Sequence, residues 1–250
     1  MSPVDAYLAP HDVEAQIDQM LLGVPSFSGA EEFKLSPLLP MSSALATHYV
    51  RSFPQHALVV SGAMGSDSQF LLAPTTCYAV FDHLRDRQVS GSSLFTHKNL
   101  CFRNEETYRT GERQASFLMR EFIFLSTDVG LAREWIGGIV RDVPPLLARE
   151  FRVDAVVEKA SDPFFDPKDL HLKFQESENL KSEFVVDGLA VASVNLHLQA
   201  FARSCNLRSD DGKPVYSACF GLGYDRLIAK SAAAQADVQS TAGDGRKASG

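Results

Sequence analysis

Two charged side chains, Arg103 and Glu105, lie close together in an otherwise largely apolar segment, L-C-F-R-N-E at residues 100–105. Their spacing of two places both on one face of a predicted β-strand. A charged loop follows at 106–112. The next predicted strand carries further candidate side chains among apolar neighbours, namely Arg113, Ser116, Phe117, Arg120 and Glu121. Because buried charge is costly unless it is paired or bound, this surface suits either a charged ligand or a structural ion pair on a half-exposed hairpin.

A second stretch, Y-S-A-C-F-G-L-G-Y-D-R-L, lies at residues 216–227. It predicts a strand, a turn at Gly221-x-Gly223 and a helix that opens with Asp225 and Arg226. Glycine permits close backbone approach, and a helix N-terminus attracts anions. A G-x-G pair alone is weak evidence. F-R-x-E with a charged loop and a Phe, followed about a hundred residues later by G-x-G-x-D-R, is a much more specific combination.

This combination resembles motifs 2 and 3 of the class II aminoacyl-tRNA synthetase catalytic domain. The resemblance implies an α+β fold, with an antiparallel sheet flanked by helices, that binds bent ATP and forms an aminoacyl-adenylate. It makes Arg103 the α-phosphate contact and Arg226 the γ-phosphate contact, and both are the candidate catalytic residues. Glu105 would recognise the adenine amino group through a hydrogen bond, and Phe117 would stack on the adenine ring.

Further ATP-binding candidates follow from the same resemblance. Arg109 and Arg113 are lesser candidates for contact with the phosphates. Glu183 is a candidate Mg²⁺ ligand, although the neighbouring strand at 188–195, G-L-A-V-A-S-V-N, lacks the acidic residue that many synthetases carry there. The resemblance therefore implies Mg²⁺ without a full set of ligands.

Cys77 follows the turn A-P-T-T-C, where Thr75 or Thr76 is expected to cap a helix. A helix N-terminus lowers the pKa of a thiol and favours the thiolate, which suits a metal ligand or a nucleophile. The alternative for Cys77 is a small buried residue that packs the start of the helix. Cys101 and Cys205 are interpreted as core residues.

A wider set of segments resembles the amino acid:[carrier protein] ligases, relatives of the catalytic domain of archaeal-type, zinc-dependent seryl-tRNA synthetases. The matching segments span residues 33–230 and include A-P-T-T-C, C-F-R-N-E, M-R-E-F, L-K-S-E-F, L-A-V-A-S-V-N-L-H and C-F-G-L-G-Y-D-R. The resemblance implies a Zn²⁺ site of Cys77, Glu121 and Cys219, although their spacing alone is no zinc signature. These three residues and Asn195 are the expected substrate-binding set.

The implied function is ATP-dependent activation of glycine or alanine and transfer to the phosphopantetheine thiol of an acyl or peptidyl carrier protein. The residues cannot distinguish the two amino acids. Two alternatives stay open, a catalytically silent paralogue that acts as a binding protein and a tRNA-charging synthetase fragment. Residues 166–179 are the expected docking region for the carrier.

The composition of the chain limits which of these functions and partners are expected. The chain has 250 residues, 45% of them apolar, a net charge of −7 and a pI near 5.5. A tRNA partner is not expected, because proteins that bind nucleic acid usually show a basic face. No apolar run reaches the roughly 18 residues of a membrane span, and no signal peptide is recognised. A cytoplasmic location with four reduced cysteines is therefore expected.

The elements that position these residues follow the hydrophobic pattern. An N-terminal helix and connection (1–32) is expected to precede the catalytic domain (33–232), and a disordered low-complexity tail (233–250) to follow it. A degenerate motif 1, with Pro40 and a helix over 42–51, implies a homodimer. The remaining predictions are strands at 58–62, 69–72 and 151–158, a helix over 126–147 whose end Pro144 and Pro145 disturb, a hairpin over 180–186 and 189–196, and a short helix at 198–203.

Overall fold

The computed structural model describes residues 11–47, 49–61, 69–160 and 180–244. The predicted carrier-docking region at 166–179 lies outside the described residues. Within the described ranges, no helix combines the length and the apolar character needed to cross a membrane.

A seven-stranded sheet forms the centre of the molecule, in the order β1-β6-β7-β12-β10-β9-β8. β1 pairs with β6 in parallel, and the other neighbours are antiparallel. The strands are β1 (Glu31–Phe33), β6 (Ser92–Phe102), β7 (Ser116–Ser126), β8 (Val156–Lys159), β9 (Lys181–Val186), β10 (Leu189–Leu198) and β12 (Tyr216–Gly223). This is the α+β architecture with a predominantly antiparallel sheet that the sequence predicted.

Helices cover both faces of this sheet. The helices are α1 (His11–Leu22), α2 (Met41–Ala46), α3 (Tyr49–Ser52), α4 (Cys77–His83), α5 (Val129–Phe151), α6 (Ala200–Ser204) and α7 (Tyr224–Asp244). One face packs against α1, α5 and α7, and the other packs against α4 and α6. Successive strand residues alternate between the faces, so Phe122 joins the first core and Ile123 the second.

Two smaller sheets complete the described structure. The first has the order β2-β4-β3, with β2 (Leu38–Pro40), β3 (Val59–Ser61) and β4 (Gln69–Leu72). The second pairs β5 (Gln88–Val89) with β11 (Arg208–Ser209). Leu39, Leu71 and Tyr49 form a third apolar cluster that joins the first small sheet to α2 and α3.

The structure changes several predicted boundaries. Helix α5 continues through Pro144 and Pro145 to Phe151, because its buried stripe of Ile139, Val143, Leu147 and Phe151 packs on the sheet and outweighs the proline penalty. The strand predicted from 151 therefore starts at Val156. Residues 233–244, which belong to the tail predicted to be disordered, extend α7. Alanine, frequent at 232–236, favours helix most strongly.

Candidate active site

A cavity of about 1660 Å³ lies over the sheet face that carries α4 and α6. Its lining includes all but one of the residues that the sequence predicted for ATP, metal or substrate, namely Cys77, Arg103, Glu105, Arg113, Phe117, Glu121, Glu183, Asn195, Cys219 and Arg226. The exception is Arg109, which is exposed and pairs with Glu112 at 3.1 Å. The fold therefore gathers residues from five strands or strand ends and two helices into one space.

Arg103 and Phe117 form one wall of this cavity. Arg103 lies one residue beyond the end of β6, not inside the strand as the spacing predicted, yet its N–H still donates to the Ala115 carbonyl at 3.0 Å and continues the ladder. Its Nε donates to the Pro74 carbonyl at 3.1 Å. The guanidinium carbon lies 5.0 Å from the centre of the Phe117 ring, a cation–π contact that fixes the cation beside an aromatic face.

Glu105 is buried in the loop after β6 and is held by two partners. Arg113 Nη1 donates to Glu105 Oε2 at 3.3 Å, and His56 Nδ1 lies 3.8 Å from the same oxygen. The ion pair considered for this hairpin is thus present between Glu105 and Arg113. Arg103 is oriented separately, by Pro74 and Phe117.

Arg226 enters the cavity from the opposite side, as the third residue of α7. Its Nε donates to the Glu112 carbonyl at 2.7 Å and its Nη1 to the Ala190 carbonyl at 2.8 Å. Burial, followed by repulsion from Arg103 and Arg113, lowers the pKa of Arg226 to about 10. The side chain therefore stays a cation at neutral pH, and its energy would fall if an anion were placed between it and Arg103.

Glu183 projects from β9 toward this half of the cavity and pairs with Lys181 Nζ at 3.1 Å. Its partner across the ladder on β10 is Ser193. One carboxylate and one hydroxyl are oxygen donors of the kind that Mg²⁺ accepts when substrate phosphates complete its shell.

Cys77, Glu121 and Cys219 meet at the other end of the cavity. Helix α4 begins at Cys77, and the Cys77 N–H donates to Glu121 Oε2 at 2.5 Å. Thr76 is the residue before the helix, but its hydroxyl donates to Glu121 Oε2 at 2.8 Å and does not cap the helix as predicted. Glu121 on β7 thus holds the start of α4 against the sheet.

Protonation in this cluster is set by burial and by the contact between the two sulfurs. The hydrogen bond with Cys219, with burial, raises the pKa of Cys77 well above its ordinary value. The same hydrogen bond lowers the pKa of Cys219. The predicted lowering at Cys77 is therefore wrong, because the hydrogen bond with Cys219 and burial outweigh the effect of the helix N-terminus. Burial, followed by the charge of Cys219, raises the pKa of Glu121 to about 7.

The donor types in this cluster are those that Zn²⁺ accepts, two sulfurs and one carboxylate. Three separate elements, α4, β7 and β12, bring them together. In the part of the chain that the structure describes, no three His, Cys, Asp or Glu side chains are arranged closely enough to count as a metal-binding group. It is the chemistry of the donors, and not their arrangement, that fits a zinc ion.

Two features of this cluster were not foreseen from the sequence. Gly221 belongs to strand β12 and pairs with Glu121, so no turn interrupts the predicted G-x-G. A Cβ atom at Gly221 would lie 3.1 Å from Glu121 Cγ, so this glycine makes room for the carboxylate. His197 Nε2 lies 3.4 Å from Cys219 Sγ, and Asn195 Nδ2 lies 3.6 Å from the same sulfur.

The fold is that of the class II aminoacyl-tRNA synthetase catalytic domain. SerRS from M. kandleri, in complex with A. aeolicus tRNASec, superposes with a TM-score of 0.70 at 19% identity over 88% of this chain. Giardia lamblia prolyl-tRNA synthetase, in complex with prolyl-adenylate, gives 0.69 at 13% identity over 88% of this chain. The chain spans about half the length of these synthetases, 50% and 45% respectively.

In sequence, the chain is similar to two amino acid–[acyl-carrier-protein] ligases of Bradyrhizobium diazoefficiens. Ligase 1 is 28% identical over 239 residues, which cover 80% of this chain and 70% of the relative. Ligase 2 is 28% identical over 237 residues, covering 79% and 67%. No family model matches the chain. The predicted resemblance to these ligases is thus confirmed.

Proposed function

We propose that the protein activates a small amino acid, glycine or alanine, with ATP and transfers it to the phosphopantetheine thiol of a carrier protein. The observation that carries the proposal is the single cavity in which two arginines and an aromatic ring lie at one end and two thiols with a carboxylate at the other. The similarity to ligases whose names specify an acyl carrier protein supports the choice of acceptor.

In the first step, a carboxylate oxygen of the amino acid attacks the α-phosphorus of ATP, and the bond to the outgoing pyrophosphate breaks. Arg103 binds the α-phosphate, where negative charge builds up, and Arg226 binds the γ-phosphate end of the leaving group. Such fixed cations act through electrostatic preorganisation in a site shielded from water. Phe117 stacks on the adenine, and Glu105, positioned by Arg113, accepts a hydrogen bond from its amino group.

In the second step, the carrier thiol, as thiolate, attacks the carbonyl carbon of the adenylate, and AMP leaves with its bonding electron pair. Arg103 stabilises the phosphate of AMP as it departs. The chain needs no nucleophile of its own for either step. Its contribution is to hold the two reacting groups at a productive distance and angle.

Cys77, Glu121 and Cys219 would hold Zn²⁺, and Glu183 would contribute to Mg²⁺ binding together with the ATP phosphates. When bound, zinc would supply a Lewis-acidic position for the α-amino group of the substrate. Asn195, which lies against Cys219, completes the substrate-binding set. We further propose that the protein works as a homodimer in the cytoplasm and does not use tRNA.

The test is ATP–pyrophosphate exchange with each amino acid in turn, with and without a zinc chelator, followed by transfer of radiolabelled amino acid to holo-carrier, apo-carrier or tRNA. We expect exchange with glycine or alanine, loss of exchange on chelation and labelling of holo-carrier alone. The absence of exchange with every amino acid would favour a silent binding protein. Labelling of tRNA would favour a synthetase fragment.

A further inference from the structure

His197 occupies an irregular position in the sheet. On β10, Leu196 faces Ala218 of β12 and Leu198 faces Ser217, so His197 is an extra residue in a β-bulge. Leu198 has a φ of 52°, in the left-handed region that a leucine rarely occupies. Bulges of this kind redirect side chains and are frequent beside active sites. The backbone is thus strained at the place where the imidazole turns toward Cys219.

The imidazole ring of His197 has fixed contacts on several sides. Nε2 lies 3.4 Å from Cys219 Sγ, and Nδ1 lies 3.3 Å from Ser217 Oγ. The ring packs at a steep angle against Phe201, with centroids 4.7 Å apart, and meets the edge of Phe81 at 6.0 Å. The aromatic neighbours hold the plane of the ring, and the two polar contacts determine whether each nitrogen donates or accepts a hydrogen bond.

The direction of these hydrogen bonds follows from the Cys219 sulfur. Asn195 Nδ2 can only donate, and it faces this sulfur. As a zinc ligand in the proposed function, this sulfur would be a thiolate, which has no hydrogen to donate. An accepting sulfur requires His197 Nε2 to carry a hydrogen. Nδ1 lies 3.3 Å from the hydroxyl of the fully buried Ser217, and this contact fixes the orientation of the ring.

We propose that His197 is a positioning residue of the cysteine pair, oriented by Ser217 so that its Nε2–H donates to Cys219 and holds that sulfur as the anionic metal ligand. The inference rests on the metal binding put forward in the proposed function. Groups that hydrogen-bond to metal ligands fix their orientation, and their removal typically weakens metal binding about 10- to 100-fold. His197 acts through Cys219 and not on the substrate.

The first measurement is the position of the hydrogen on the His197 ring in the full, zinc-loaded protein. Long-range ¹H–¹⁵N spectra report which nitrogen of each imidazole carries the hydrogen, and the His197 signals are assigned by their loss in His197→Gln. We expect a hydrogen on Nε2. A ring with its hydrogen on Nδ1 alone would overturn the proposal.

The second measurement is zinc affinity by competition with a chromophoric chelator. His197→Phe keeps a ring between Phe81 and Phe201 but loses the N–H, and we expect it to bind zinc about 10- to 100-fold more weakly. His197→Gln keeps an N–H near the Nε2 position and should recover most of this loss. His11→Phe, an exposed histidine on α1, is the matched control and should bind like wild type. Thermal melting of each variant checks the fold.

Zinc binding by His197→Phe as tight as that of wild type would overturn the proposal, as would a His197→Gln variant no better than His197→Phe. A wild-type protein that binds no zinc would instead refute the metal in the proposed function. The two failures are therefore distinguishable.

Discussion

Arg103 shows how a single side chain can be prepared for phosphate before ATP arrives. Its Nε donates to the Pro74 carbonyl, and its guanidinium carbon lies 5.0 Å from the centre of the Phe117 ring. Lysine keeps the charge but loses the planar fork that matches phosphate oxygens. We expect Arg103→Lys to lower kcat for pyrophosphate exchange roughly 10²- to 10³-fold, with little change in KM for the amino acid. Exchange kinetics over both substrates measure this.

The control for Arg103→Lys is Arg149→Lys, at an exposed arginine of α5 that pairs with Glu150. It makes the same chemical change far from the cavity and should exchange pyrophosphate at the wild-type rate. If Arg103→Lys were equally active, Arg103 would have no special role at the α-phosphate.

Gly221 offers a second test at the level of one residue. An added methyl would crowd Glu121, whose carboxylate cannot move away freely because Thr76 and Cys77 hold it. We expect Gly221→Ala to cost about 1–3 kcal/mol of unfolding free energy, the usual range for overpacking, and to weaken amino acid binding. Urea unfolding and the KM for the amino acid are the measurements.

Gly223→Ala is the matched control, because it lies two residues along on the same side of β12. The nearest atom to its added Cβ is the Val191 carbonyl oxygen at 3.8 Å, an ordinary contact. Gly223→Ala should therefore change the amino acid KM much less than Gly221→Ala. Equal effects of both substitutions would show that the crowding of Glu121 is unimportant.

The residues of the site were predictable to different degrees. Cys77, Glu121 and Cys219 could be grouped because a family pattern relates them, and the structure does bring them together. His197 could not be found, since its direction depends on a bulge that shifts the pairing of β10 with β12. The predicted direction of the pKa shift of Cys77 was wrong for a similar reason. The start of a helix can be predicted from the sequence, but the contact with the Cys219 sulfur on another element cannot.

Helix α1 is attached to the sheet by a charged network centred on Asp18. Arg120 Nε donates to Asp18 Oδ1 at 2.9 Å, Lys98 Nζ donates to Oδ2 at 2.6 Å, and the Tyr224 hydroxyl donates to Oδ1. Burial alone would raise the pKa of Asp18, but the hydrogen bonds from Lys98 and Tyr224, with the charge of Arg120, lower it below its ordinary value of 3.8. The network links α1 to β6, β7 and the start of α7.

A lowered pKa means that the Asp18 contribution to stability is present above pH 3.8 and is lost as the pH falls through the lower, folded-state value. We expect Asp18→Asn to cost roughly 1.5–3 kcal/mol at pH 7, as for hydrogen bonds to a charged group. The difference from wild type should shrink below pH 3.8. Urea unfolding at pH 7, 5 and 3 measures this.

Asp142→Asn is the control for Asp18→Asn, because Asp142 pairs with Arg141 on the surface. Surface pairs contribute about 0–1 kcal/mol. A loss at Asp18→Asn that stayed constant down to pH 3 would contradict the assigned pKa shift and point to packing.

At the level of elements, prediction succeeded where the local pattern and the packing agree. The amphipathic pattern of α1, the long hairpin of β6 and β7, and the Asp187-Gly188 turn between β9 and β10 all have local causes. Both turn residues have positive φ, at 43° and 74°, as such tight turns require. The full length of α5 could not be predicted from the local sequence, because Pro144 and Pro145 disfavour a helix there. The packing of its buried stripe on the sheet stabilises the helix through these prolines.

For the molecule as a whole, the exposed apolar surface bears on the proposed homodimer. Val59 and Val60 on β3 and Leu38 on β2 are 50%, 37% and 41% exposed, and Leu45 on α2 adds 44%. Leu38 and Leu45 lie in the stretch that resembles motif 1, and Val59 and Val60 lie on a strand of the same small sheet. Leu38 and Val60 share one face of this sheet, because their partners Leu72 and Phe70 are two residues apart on β4. Exposed apolar side chains on one face favour contact with another protein surface.

If the exposed face that carries Leu38 and Val60 forms the dimer interface, a buried charge there would be costly. We expect Val60→Glu to convert a dimer to a monomer in sedimentation velocity. Val156→Glu is the matched control, because Val156 is 60% exposed on β8 at the far edge of the large sheet, and it should remain dimeric. A Val60→Glu protein that sediments as a dimer would move the interface elsewhere, and a monomeric wild type would remove the dimer from the proposal.

The same variant should also affect catalysis. Tyr49 of α3 packs against Tyr78 of α4, the helix that begins at Cys77 in the cavity. The monomer should therefore exchange pyrophosphate more slowly than the wild-type dimer.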